Sequence, residues 1–162
     1  MPSAPLVAAA TPGPSDASTP FEAAVESVAP SRTPGGSVKL VIETATGAED
    51  FSYIPAELEA PAGSEITLQL VNKTNPDDEI GHNWVLVKPG QEDQVLANGI
   101  AAGDDNDWLD TKDPGIIAAT HLIEGNEKHQ VKFAAPEPGV YVFVCTFPKH
   151  YAGGMKGTLT VD

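Results

Sequence analysis

Twenty-three Asp and Glu against nine Lys and Arg leave this 162-residue chain with a net charge of −14, a field that repels phosphate backbones and argues against nucleic acid as a partner. A hydrophobic fraction of 41% suffices for one globular core, and 15 Pro with 15 Gly imply frequent turns, which favours an all-β chain over a helical bundle. The lone cysteine, Cys145, excludes an intramolecular disulfide, and no apolar run reaches the length of a membrane-spanning helix. The first residues lack the basic-then-apolar pattern of a signal peptide, which leaves open a cytosolic chain or the soluble part of a longer one.

In chain order, residues 1–36 are rich in Pro, Ala, Ser, Thr and Gly, with few large apolar side chains, and read as a flexible tail or linker. Within them, Thr19-Pro20 has the form of a helix start running to Ala29, with Phe21, Val25 and Val28 on one stripe; a local fluctuation is the preferred reading. From Ser37 the texture changes to strands. Val38, Leu40 and Ile42 alternate with polar residues, as do Ile66, Leu68 and Leu70, and later Val131 and Phe133. The stretch Ile123-Glu-Gly-Asn before the last of these reads as a hairpin turn. Trp84 to Val87 is wholly apolar, as expected of a strand covered on both faces. Val140 to Cys145 is another such run, with Tyr141, Phe143 and Cys145 on one face. Leu159 and Val161 close the chain out of phase with Thr158 and Thr160. Such strands, punctuated by Gly and Pro, predict a β-sandwich. Residues 91–122 interrupt the pattern: Val95, Leu96 and Ile100 suggest a short helix before the acidic turn Asp104 to Asp107, forming a flap on one side of the sandwich.

Chemistry concentrates in "CTFPKHYAGGM", residues 145–155. Cysteine ends a buried strand, and a turn then carries His150 and Met155 where they can fold back toward the thiol. His82, in the "GHNW" that opens another strand, supplies a fourth donor. Two imidazoles and a thiolate in a plane with a distant thioether on the axis describe a blue-copper electron-transfer centre. Soft sulfur favours Cu(I), imidazole suits both oxidation states, and a rigid compromise keeps reorganisation small. Alone, a buried Cys or Met is more often packing, and a Cys with a His can be a nucleophile with its base. The order His…Cys-x4-His-x4-Met at strand ends favours copper. His121 and His129, at a strand entry and a hairpin mouth, are expected to stay away from the metal. Asp104 to Asp107 lacks the Gly and terminal Glu of a calcium loop and reads as a solvated turn.

"GHNWVLV" and "CTFPKH…MKGTLTV", with "NDWLD" and "HLIEGNEKHQVKF" between them, closely resemble azurin, of the cupredoxin family, over residues 37–162. Azurins have three residues between the second His and Met, whereas this chain has four. They also carry a disulfide, which a single Cys forbids. The Cys-x4-His-x4-Met spacing and the Pro/Ala/Ser-rich tail are most similar to the auracyanin group, membrane-associated blue copper proteins of filamentous anoxygenic phototrophs. Plastocyanins, with a shorter Cys-to-His gap, fit less well.

The resemblance implies a cupredoxin Greek-key β-sandwich with a helix-containing flap, binding one copper through His82, Cys145 and His150 in the equatorial plane and Met155 on the axis. It implies a weak fifth contact from the Gly81 carbonyl. Asn83 is expected to tie the two ligand loops together near Thr146, with the backbone N–H groups of Asn83 and Phe147 donating to the Cys145 sulfur. The His150 ring edge is expected at the surface, and Pro148, Tyr151 and Ala152 around it are expected to form an apolar patch for docking.

The implied function is electron carriage from a membrane quinol-oxidising complex to a c-type cytochrome serving a reaction centre. The alternative is donation to a copper or haem reductase, as for azurins. A copper enzyme on this fold needs further His-rich sites, and four scattered histidines do not supply them. A Cys/His hydrolase needs an open cleft beside an activated thiol, which a covered strand end fits poorly. The expected protein is a monomer, not an enzyme, on the extracytoplasmic side, joined to the membrane only through a segment missing from this chain.

Overall fold

The computed structural model describes residues 36–162. The helix considered between Thr19 and Ala29 lies outside them, as does the expected tail except Gly36. Among the described residues the strands are β1 (Ser37–Thr44), β2 (Tyr53–Ile54), β3 (Glu57–Ala60), β4 (Glu65–Val71), β5 (Val85–Val87), β6 (Ile116–Ala119), β7 (Lys128–Ala134), β8 (Gly139–Val144) and β9 (Lys156–Val161), with one α-helix, α1 (Glu92–Ala102). They form a five-stranded sheet in the order β3-β9-β8-β5-β6 and a four-stranded sheet in the order β2-β1-β4-β7. Pairing is antiparallel except β1 with β4 and β3 with β9. The protein is an all-β Greek-key sandwich.

Period-two alternation explains how the sheets face each other. Ile66, Leu68 and Leu70 of β4 point inward and are fully buried, while Glu65 is exposed and Thr67 and Gln69 are half-buried. The parallel register sets Leu40 against Leu68 and Ile42 against Leu70, and the antiparallel register sets Val131 against Leu68. From the other sheet Trp84, Leu86, Phe143 and Leu159, all fully buried, close the same core.

The apolar run at β5 has a separate cause. Trp84 and Leu86 enter the main core, whereas Val85 and Val87 face a second cluster with Val95 of α1, Leu109 and Val144. An 11-residue helix carrying Asn98 and Gly99 is marginal on its own, so this packing holds it. Asp113 is the polar clamp: buried, it accepts from Gln94 Nε2 at 3.0 Å, Asn98 Nδ2 at 2.8 Å and the Gly115 N–H at 2.8 Å. Burial pushes its carboxyl up, but the bonds from Gly115, Asn98 and Gln94 outweigh that and hold it below the usual range.

The short helix expected from Val95, Leu96 and Ile100 is α1, which buries Val95 and Gly99 and leaves Ile100 56% exposed. Other expectations need correction. The run at Val140 is covered on both faces only toward its end: Val140 is 59% exposed, Val142 is half-buried against the flap cluster, and Val144 is fully buried there. Residues 91–122 are not all flap, since β6 adds an edge strand to the five-stranded sheet. The turn at Ile123 to Asn126 is no hairpin, because it carries the chain from β6 in one sheet to β7 in the other. Gly125 is needed there because the backbone of Thr74 to Pro76 occupies the space a side chain would take.

Candidate metal centre

Backbone and buried polar bonds place His82. Its N–H donates to the Ile123 carbonyl at 3.0 Å, and the Ile123 N–H donates back at 2.9 Å, an isolated bridge between two loops. Asn72, fully buried, holds both loops: its Nδ2 donates to the carbonyls of Ile80 (3.1 Å) and Ile123 (2.9 Å). Its Oδ1 accepts from the hydroxyls of Thr44 (3.2 Å) and Thr74 (2.6 Å) and from the Thr74 N–H (3.0 Å).

Asn83 joins the His82 segment to the end of β8. Its Nδ2 donates to Thr146 Oγ1 at 2.8 Å, its Oδ1 accepts from the Thr146 N–H at 2.9 Å, and its carbonyl accepts from the Tyr53 hydroxyl. The N–H groups of Asn83 and Phe147 donate to the Cys145 sulfur. Asn83 and Thr146 are both buried.

The loop from Cys145 to Met155 closes on itself. The His150 carbonyl accepts from the N–H groups of Gly153 (3.1 Å) and Met155 (3.0 Å), and the Met155 carbonyl accepts from the Cys145 N–H at 3.3 Å. The extra residue of the His-x4-Met spacing fits because Gly154 takes φ +107°, a conformation other residues avoid, and Gly153 makes room for Phe51.

The ligand atoms of His82, Cys145 and His150 lie within 4.8 Å of one another, the one such grouping of three or more metal-capable side chains among the described residues. Cys145 Sγ is 3.4 Å from His150 Nδ1 and 3.9 Å from His82 Nδ1. A nitrogen at about 2.05 Å and a sulfur at about 2.3 Å from one ion, 120° apart, are separated by about 3.8 Å, so this trio fits a single trigonal metal. Met155, fully buried and tied by its backbone to both Cys145 and His150, completes the arrangement of a type 1 copper site.

Burial also sets the protonation of the metal-free ligands. His82 is pushed down to about 3, by desolvation and then by neighbouring His150, and His150 to about 4 by desolvation. Both imidazoles are therefore neutral and ready to bind. Burial pushes the Cys145 thiol up to about 12 despite the N–H groups of Asn83 and Phe147. A metal must displace that proton, after which those N–H groups stabilise the thiolate.

The other expected residues have these positions. Gly81 is buried, and a side chain there would meet Leu122. Phe147, Pro148 and Tyr151 are half-buried and Ala152 is exposed. Among His82, Cys145, His150 and Met155, His150 is the most exposed, but at only 4%. Its ring is covered by Phe51 (centroids 4.4 Å apart, planes at 21°) and Phe147 (4.5 Å, 26°). His121 and His129 touch each other, with centroids 4.5 Å apart, outside the metal grouping. Asp104–Asn106 is a short 3-10 turn with no buried residue. Sequence reading missed Phe51, Tyr53 and Asn72, each remote in sequence from what it supports.

The chain matches the family described as copper-binding proteins, plastocyanin/azurin family, over residues 40–162. It is 37% identical to auracyanin-B of Chloroflexus aurantiacus over 139 residues, 79% of this chain and 57% of that one. It is 36% identical to auracyanin-A of the same organism over 129 residues, 78% of this chain and 77% of the relative. The dithionite-reduced auracyanin of Roseiflexus castenholzii superposes with a TM-score of 0.70 at 38% identity, covering 79% of this chain and 99% of that structure. The chain thus spans little more than half the length of auracyanin-B.

Proposed function

From the premise that the chain belongs to the plastocyanin/azurin family of copper-binding proteins, we propose that it is a mobile or tethered one-electron carrier acting between a membrane quinol-oxidising complex and a c-type cytochrome. The observation that carries this reading is the buried grouping of His82, Cys145 and His150 beside Met155. Copper supplies the one-electron chemistry, cycling between Cu(I) and Cu(II). His82 and His150 would hold it through neutral imidazole nitrogens and Cys145 through its thiolate, with the Met155 thioether and the Gly81 carbonyl as weaker donors. The bonds from Asn72 to the Ile80 and Ile123 carbonyls, and the pair between Asn83 and Thr146, hold the ligand segments, so that little nuclear rearrangement would accompany transfer.

Electrons leave past His150. Its chain neighbours Pro148, Tyr151 and Ala152 line a depression that also takes in Leu96 and the exposed Ile100 of α1. Lys149 is the single charge among these lining residues, which suits a weak, quickly released contact. Copper function belongs to residues 37–162 alone, with residues 1–36 as a spacer. No helix among the described residues is long and apolar enough to cross a membrane; we place the protein on the extracytoplasmic side, as a monomer without catalytic activity of its own.

Stopped-flow mixing with a reduced or oxidised c-type cytochrome tests the reading. Reciprocal absorbance changes of copper band and haem are expected. A copper-loaded protein that exchanges electrons with neither the cytochrome nor quinol-reduced membranes refutes it.

A further inference from the structure

All four ligands sit on bonded backbone: His82 in a two-sided bridge, Cys145 and Met155 joined to each other, and His150 bonded through its N–H to Phe147 and through its carbonyl to Gly153 and Met155. What sets His150 apart is its imidazole, which faces the Cys145 sulfur on one edge and an aromatic ring on each face. Phe51 stacks on one side of the ring and Phe147 on the other, each within about 26° of parallel. Both plates are themselves braced. Trp108 meets Phe147 edge-on at 6.0 Å between centroids, and Phe51 occupies the space where any side chain at Gly153 would stand.

Phe51 comes from the loop between β1 and β2, about a hundred residues before His150 in sequence, and that loop is closed by the Ala45 N–H to the Ser52 carbonyl at 3.1 Å. Two residues on, Tyr53 donates to the Asn83 carbonyl. One short segment therefore reaches both ligand loops.

We propose that Phe51 is a positioning residue: with Phe147 it clamps the His150 imidazole in its metal-facing orientation before any metal is bound, and so closes the way to Cys145. This rests on the copper reading only for what the orientation is for. Without the Phe51 ring, His150 and its glycine turn swing out more often. Cys145, fully buried behind His150, reacts with a small thiol reagent only in that open state.

The test uses the full metal-free chain and an alkylating thiol reagent at fixed pH. Phe51→Leu keeps apolar volume but loses the stacked face, and Phe51→Tyr keeps the face. Phe133→Leu removes a comparable ring that packs on Trp84 and is not one of the two stacked on His150. Phe51→Leu should raise the Cys145 modification rate about tenfold, equivalent to about 1.4 kcal/mol, the scale of an aromatic pair beyond its burial. Phe51→Tyr and Phe133→Leu should stay within about twofold of the parent, which separates clamping from general loosening. In the copper-loaded proteins Phe51→Leu alone should shift the reduction potential and broaden the charge-transfer band. A parental modification rate in Phe51→Leu, or an equal rise in Phe133→Leu, overturns the clamp. Failure of the copper reading shows separately, as a parent chain that develops no such band.

Discussion

Replacing Asn83 with alanine removes the bond pair between the two ligand segments while leaving the Asn83 backbone N–H to serve the Cys145 sulfur. Two bonds disappear, Nδ2 to Thr146 Oγ1 at 2.8 Å and the Thr146 N–H to Oδ1 at 2.9 Å. Both residues are buried, so water does not replace the lost partners, and the Thr146 N–H is left an unpaired buried donor. Each such orphan costs about 1–3 kcal/mol, and the hydroxyl can recover part of its share by rotating. The expected loss is about 3 kcal/mol. Urea unfolding of metal-free parent and variant measures it: the midpoint should fall with an unchanged slope. Loaded with copper, the variant should keep its visible band, because the ligands and the N–H donors to sulfur remain. A destabilisation below about 1 kcal/mol would refute the claim that this pair fastens the ligand loops.

Met155→Leu should raise the reduction potential and Met155→Gln lower it, since a thioether mildly favours Cu(II) and an amide oxygen favours it more; equal potentials in voltammetry would reduce Met155 to packing. His82 and His150 in the metal-free fold titrate near 3 and 4, below the ordinary 6.5 of the unfolded chain, so the unfolded state binds more protons below pH 6.5 and stability falls with acidification. Two such groups give a slope of about 2–3 kcal/mol per pH unit between about pH 6 and 4; denaturant melts should show it in the metal-free protein and far less with copper bound, and a flat profile contradicts the neutral buried imidazoles. Ala152→Glu should slow electron exchange with a cytochrome severalfold while colour and potential stay put, and unchanged stopped-flow rates would move the exit elsewhere.

What the sequence showed was whatever is written locally. Alternation in Val38 to Ile42 and Ile66 to Leu70 marks strands because side chains on a strand switch faces at every step. The Cys, His and Met of the terminal loop are adjacent enough to be read together. What it hid depends on distance. Phe51 stands alone in a polar loop, and nothing near it announces a histidine almost a hundred residues later. Asn72 looks like any polar residue ending a strand, yet its bonds reach residues 28 and 51 positions away. Val140 was misread for the opposite reason: apolar identity is local, but the helix that covers Val144 stops short of it. The same holds for Ile123 to Asn126, whose composition suits a hairpin while its flanking strands lie in different sheets.

Titration of the metal-free chain with Cu(II), followed in the visible region for parent and Cys145→Ser together, tests the central claim most directly. The parent should take up one ion and develop an intense thiolate-to-copper band that ends at one equivalent, while Cys145→Ser shows none even where it binds the metal. A parent that stays colourless, or a Cys145→Ser variant that keeps the band, would contradict a blue copper centre at His82, Cys145, His150 and Met155.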